Sequence, residues 1–268
     1  MFTAFNELWK FRELLWNLTL REFTVRYRQT FLGAAWAVMQ PLSLTLVFMF
    51  ISYLRPLPSD GKPYLIFGYG GMMQWTFFST SLTMAIPSLL SNSGLVKKIY
   101  FPREVLPIST ILVTLIDFCI SFVVLVALIL YYKYHVGIAI PFSGWVLFVP
   151  VIIALQVVLT LGIGFFFSAV NVTYRDVRYA LPLVLQLWMF ASPVIYSANA
   201  VRQKSELLYK IYMLNPMAPI VTSYRTVLLD GRAPDFGYLG IAVAVSLAIF
   251  VAAYIYFKHV DARFADIL

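Results

Sequence analysis

The chain has 268 residues, 61% hydrophobic and only 12% charged, with a mean hydropathy of +0.83. That leaves far too little polar surface to cover a soluble globule, so the sequence describes an integral membrane protein. A formal charge of +8 would suit a nucleic-acid binder in a soluble chain, but the basic residues here sit beside apolar runs, as membrane orientation requires, and nucleic acid is excluded as a partner.

Residues 1–30 come first. Phe5, Leu8, Trp9, Leu15, Trp16, Phe23 and Tyr27 fall on one arc at 100° per residue, with Glu7, Lys10, Arg21 and Arg28 opposite; Arg12, Glu22 and Arg26 blur the division. The pattern predicts an amphipathic helix in the membrane interface. Glu7, Glu13 and Glu22, and the lack of a short apolar core before small residues, argue against a cleaved signal.

Taking roughly 20 apolar residues per crossing, six helical spans are predicted: 31–53, 64–90, 105–132, 145–170, 179–198 and 238–257. Neither a barrel pattern nor an internal repeat accompanies them, so the fold class is all-α, one domain, with 31–257 as the bundle and 258–268 as a tail. With the N-terminus cytoplasmic, twelve of the 20 Lys and Arg residues fall inside, including Lys97, Lys98, Arg103, Arg175 and Arg178. Both termini are then cytoplasmic. Between spans five and six, residues 199–236 hold two apolar pieces too short to cross, LLYKIYML and IVTSYRTVLL. These read as short outer re-entrant helices or as an ordinary folded loop.

Constellations for catalysis are missing. His135 and His259 lie near opposite faces, Cys119 is alone, and no GxxxxGK[ST] occurs, so nucleotide-driven work would need another subunit. No metal site is expected. Asp117 is the one acid well inside a span, at an insertion cost of at least ~2.5 kcal/mol. It is read either as a functional residue or as a group paired with Ser, Thr or Gln of a neighbouring helix. FGYGG at 67–71 and the pair Gly162 and Gly164 read as helix-packing glycines. Aromatic residues well inside spans, Trp75, Phe77, Phe78, Phe165, Trp188 and Phe190, suit either lipid-facing packing or an aromatic-lined passage for a sliding polymer. Two inner loops, 91–107 and 171–182, are positive connectors or docking elements; the apolar Leu95, Val96, Ile99, Tyr100 and Phe101 would be poorly solvated in a bare loop.

Several segments, in order along nearly the whole chain, carry a resemblance: REFTVRYRQTFLGAAWAVMQP, PSDGKPY, LVKKIYFPRE, Asp117 with Phe118, NVTYRDVRYALP, SPVIY and LNPMAP. Together they resemble the permease subunit of ABC-2 type polysaccharide exporters, nearest the branch that exports lipopolysaccharide O-antigen and related glycans such as teichoic acids. The resemblance implies a homodimer in the bacterial cytoplasmic (inner) membrane, working with two copies of a separate ABC ATPase that binds the ATP and Mg. It implies a lipid-linked polysaccharide on undecaprenyl diphosphate as cargo. It also implies that Leu95, Val96, Lys97, Lys98, Ile99, Tyr100, Phe101, Arg103 and Glu104 belong to the segment that couples to the ATPase. Arg21, Arg26 and Arg28 then become candidates for receiving the diphosphate, against a simpler role in attracting anionic lipid. An exporter of small molecules or drugs, and a membrane-embedded polyprenyl-linked glycan transferase, are the alternatives; the scattered acids offer no paired carboxylates for the latter.

Overall fold

A computed structural model describes residues 9–28, 30–138, 140–141, 143–261 and 264. Phe5 and Leu8 of the amphipathic arc, and most of the 262–268 tail, lie outside the described residues. Every regular element among the described residues is helical. In chain order they are α1 (Arg12–Tyr27), α2 (Trp36–Leu54, after a 3-10 turn), α3 (Tyr64–Ala85), α4 (Ser88–Ser91), α5 (Ser93–Lys98), α6 (Val105–Tyr134), α7 (Val149–Thr173), α8 (Val177–Phe190), α9 (Ala198–Lys204), α10 (Glu206–Tyr212), α11 (Met217–Arg225) and α12 (Phe236–Asp261).

Four stretches among the described residues are long and apolar enough to cross a membrane: Gly33–Leu54, Val105–Tyr134, Gly144–Thr173 and Phe236–Asp261. The other two expected spans differ. The second becomes α3, 22 residues diluted by Gly, Gln, Ser and Thr, and it stops before Pro87, whose missing N–H and ring oppose continuation. The fifth becomes α8, only 14 residues long, ending at Phe190 ahead of Pro193 rather than running to 198. Where two short pieces were expected after it, three helices form, α9 to α11. A π-turn follows at Thr226–Asp230, closed by left-handed Gly231.

The middle of the molecule is α3. From Ile66 to Trp75 every residue is buried, by α2 on one side, α6 and α7 on others, and α8 and α11 at one end. A helix carrying Gln74 would be costly against lipid; α3 keeps that side chain wholly inside the protein, with no hydrogen-bond partner for its amide among the described residues. Polar side chains then tie the helices across their seams. Ser81 and Thr114 hydroxyls are 2.5 Å apart, Ser121 Oγ donates to Ala37 O at 2.8 Å, and Gln156 Nε2 donates to Gln74 O at 2.8 Å. Each such bond gives about 0.6 kcal/mol, so close packing must supply the rest. Packing is most extensive between α7 and α12, where a Cβ at Gly162 would stand 2.8 Å from Phe250 Cα.

The ends of the bundle differ. At one, a second apolar cluster joins Leu18 of α1, Val96 and Phe101 of the 93–104 loop, Phe165 and Val172 of α7, and Ala253 and Phe257 of α12. At the other, α9 to α11 gather around Tyr209, Met213 and Ala218, packed against Tyr238 of α12.

Candidate functional site

The N-terminal helix reaches the intramembrane acid. Leu14, Leu15 and Leu18 seat α1 on the second cluster, and α1 packs along α6 until Arg26 and Tyr27 meet Asp117. Arg26 Nη1 donates to Asp117 Oδ2 at 2.7 Å and Tyr27 Oη to Asp117 Oδ1 at 2.6 Å. Both carboxylate oxygens are thus engaged, which is how a charge at that depth becomes tolerable. Burial first, then the hydrogen bond to Asp117, raises the Tyr27 phenol well above its usual range, so it stays a donor. Among the described residues the expected partners, Ser, Thr or Gln of a neighbouring span, do not bond Asp117; an arginine and a tyrosine of α1 do. Gln40, Thr76, Thr80, Thr114 and Ser121 line a polar cleft beside the pair.

The three arginines proposed for an anion have separate fates. Arg26 is committed to Asp117, Arg21 bonds Glu22 Oε1 at 2.9 Å and Asn92 Oδ1 at 2.8 Å, and Arg28 is exposed.

The 93–104 loop divides into anchors and a tip. Val96, Phe101 and Glu104 are buried, and Leu95 and Arg103 half-buried, whereas Lys97, Lys98, Ile99 and Tyr100 are exposed, Tyr100 at 92%. Helix α5 ends at Lys98 and Ile99 turns extended, which swings Tyr100 outward while Phe101 returns to the cluster. Glu104, counted in sequence with the coupling residues, is wholly covered and pairs with Lys258.

Of the six interior aromatics, Trp75, Phe77, Phe78 and Phe165 are buried, Phe77 at the wall of the cleft beside Asp117. Phe77 and Phe118 are tilted against each other with centroids 5.5 Å apart, Phe78 meets Trp188 edge-on at 5.2 Å, and Phe165 meets Phe257 at 5.3 Å. Trp188 is half-buried, its Nε1 donating to Asn215 Oδ1 at 2.9 Å, and Phe190 is exposed.

Sequence reasoning missed Arg225. Buried at the end of α11, it lies 3.7 Å over the Phe67 ring and donates to Phe67 O, Val194 O (2.6 Å) and Pro193 O, with no carboxylate within ion-pair distance among the described residues. One guanidinium therefore joins α11, the start of α3 and the turn after α8. Gly71 makes room for it: a Cβ there would stand 2.5 Å from Val194 O and strike the guanidinium. The lone arginine in IVTSYRTVLL and the paired Gly70 and Gly71 were the signal available.

A family model described as ABC-2 type transporter matches residues 13–229, from the first turn of α1 to the turn after α11. The chain belongs to the ABC-2 type transporter family. Relatives of this ABC-2 chain include an O-antigen export system permease protein RfbA of Myxococcus xanthus, 31% identical over 99% of each chain. An RfbA of Klebsiella pneumoniae is 28% identical, covering 96% of this chain and 95% of its own. The polysialic acid transport protein KpsM of Escherichia coli is 25% identical, over 88% of this chain and 90% of its own. As an ABC-2 protein with several apolar helices, the chain is a multi-pass membrane transport component. Its family match stops short of α12, which carries the partners of Arg103 and Glu104.

Proposed function

We propose that this chain is the channel-forming permease of an ATP-driven exporter of lipid-linked polysaccharide, an O-antigen or related glycan. The observation that carries it is similarity from end to end with permeases named for O-antigen export, joined to a helical multi-pass architecture. Two copies pair in the cytoplasmic membrane with two copies of an ABC ATPase, and the glycan enters on undecaprenyl diphosphate. Each copy crosses six times, α3 and α8 completing the set, with both termini inside and α9 to α11 shaping the outer mouth. The uncovered edge of α8, with Tyr179, Leu183, Leu187 and Phe190 exposed, supports a second copy completing the passage. Phe190 and Trp188 retain open ring surface for a sliding polymer; the buried Trp75, Phe77, Phe78 and Phe165 support the wall from behind.

The ATPase docks on the exposed tip, Lys97, Lys98, Ile99 and Tyr100, seated by Leu95, Val96 and Phe101. A tyrosine that protrudes between anchored neighbours is the kind of residue that fills a partner's pocket. Of the arginines, Arg21 and Arg28 are open to a diphosphate, and Arg26 joins them only by sharing its fork with Asp117. The test is reconstitution with the cognate ATPase in proteoliposomes. ATP-dependent movement of undecaprenyl-diphosphate-linked glycan is the expected result; ATP hydrolysis by this chain alone, or small-molecule transport without glycan movement, refutes the assignment.

A further inference from the structure

The 93–104 loop ends in two consecutive charged residues, and both reach the last helix rather than the exposed tip. Arg103 Nη1 bonds the Asp261 carbonyl and lies 3.3 Å from Asp261 Oδ1. Glu104 pairs with Lys258 and accepts from Tyr254 Oη at 3.1 Å. Tyr254, Lys258 and Asp261 follow one another at intervals of four and three residues, so they form a single stripe along α12. The Arg103 guanidinium also lies 5.8 Å from the Phe264 ring, which packs on Phe257.

A wholly covered carboxylate is a poor way to stabilise a fold, since an apolar residue of similar size usually does as well or better. What ion pairs supply, and apolar contact does not, is a fixed register between two elements. The loop already continues into α6 through the chain itself. The two pairs give it a second connection, to α12, and α12 is the helix packed most extensively on α7, across Gly162.

We propose that Arg103 and Glu104 are positioning residues that carry displacement of the docking loop into α12, so that α12 and α7 move together with α6 when the ATPase pulls. This rests on the reading that the loop tip docks the ATPase. The experiment uses the full permease with its ATPase in proteoliposomes and changes residues on α12 rather than in the loop: Lys258→Gln and Asp261→Arg, which share a cavity with Tyr100 and Phe101. Glycan exported per ATP hydrolysed is measured beside the amount of ATPase that co-purifies. Both variants are expected to keep the ATPase bound and hydrolysing while export per ATP falls by at least about fivefold. Adding Arg103→Asp to Asp261→Arg restores the pair in reverse and is expected to recover export.

Unchanged export per ATP in both single variants overturns the proposal. So does a loss that the reversed pair fails to repair, and so does loss of ATPase binding, which would place the pairs in the docking surface itself. The docking reading fails separately, if Tyr100→Glu binds the ATPase and exports as wild type does.

Discussion

Arg26 and Asp117, ninety-one positions apart, meet at 2.7 Å and pin α1 to the middle of α6. Cutting either side leaves the other charge short of a partner where few waters reach. Asp117→Asn and Arg26→Gln should each destabilise the purified protein by about 1–3 kcal/mol, with the double variant well short of the sum. A double-mutant cycle on thermal unfolding in detergent checks this, and additivity would mean the contact is not made in solution.

Gly71 and Arg225 should behave as one unit. Gly71→Ala puts a methyl group where the guanidinium lies, and is expected to cost about 1–3 kcal/mol as overpacking. In an Arg225→Met background, which removes the obstacle, the same change should cost clearly less. Melting temperatures of the four proteins decide it.

Tyr100→Glu places a charge on a tip residue that is 92% exposed. If that side chain enters a dry pocket of the ATPase, the change should weaken the complex by about 2 kcal/mol or more, seen as lost co-purification, while insertion and folding stay normal.

Orientation is checked with single cysteines at Ser205 and Asp230 in a Cys119→Ser background. Both should react with an impermeant thiol reagent added outside intact cells. Reaction only after the cytoplasm is opened would invert the threading.

For the arginines, the planar fork is the property to isolate. Arg21→Lys and Arg28→Lys keep the charge that orients the helix and lose bidentate phosphate geometry. Substrate-stimulated ATP hydrolysis in the assembled complex should fall with Lys as well as with Gln. Lysine matching arginine at both sites would leave only attraction to anionic lipid, worth about 1 kcal/mol per residue.

The long apolar helices were legible because a run of Leu, Val, Ile and Phe has one stable form in hydrocarbon; α6, α7 and α12 stand within a few residues of their expected bounds. Helices α3 and α8 were less so, since what ends them is a proline a few residues on, and what lets α3 exist is cover from other helices. Asp117 was marked by its cost, but its partner was not: burial of an acid says that a donor is needed, while the fold alone says which element brings it. The 93–104 loop was located by its apolar residues. Its division into tip and anchors depends on the direction of individual side chains, which a loop's sequence does not encode. Arg225 was hidden because its acceptors are backbone carbonyls, and carbonyls have no letter in a sequence.

The covering of α3 also bears on how the protein is made. Gln74 is surrounded in part by α6, α7 and α11, all of which leave the ribosome after it. A nascent chain that ends after α3 would have to hold this glycine- and glutamine-bearing helix in lipid without its cover, at a cost set by every polar group left bare. Stable placement of α3 would therefore wait for α7, and a lesion in α7 should show itself as early degradation of the whole chain rather than as a transporter assembled but slow.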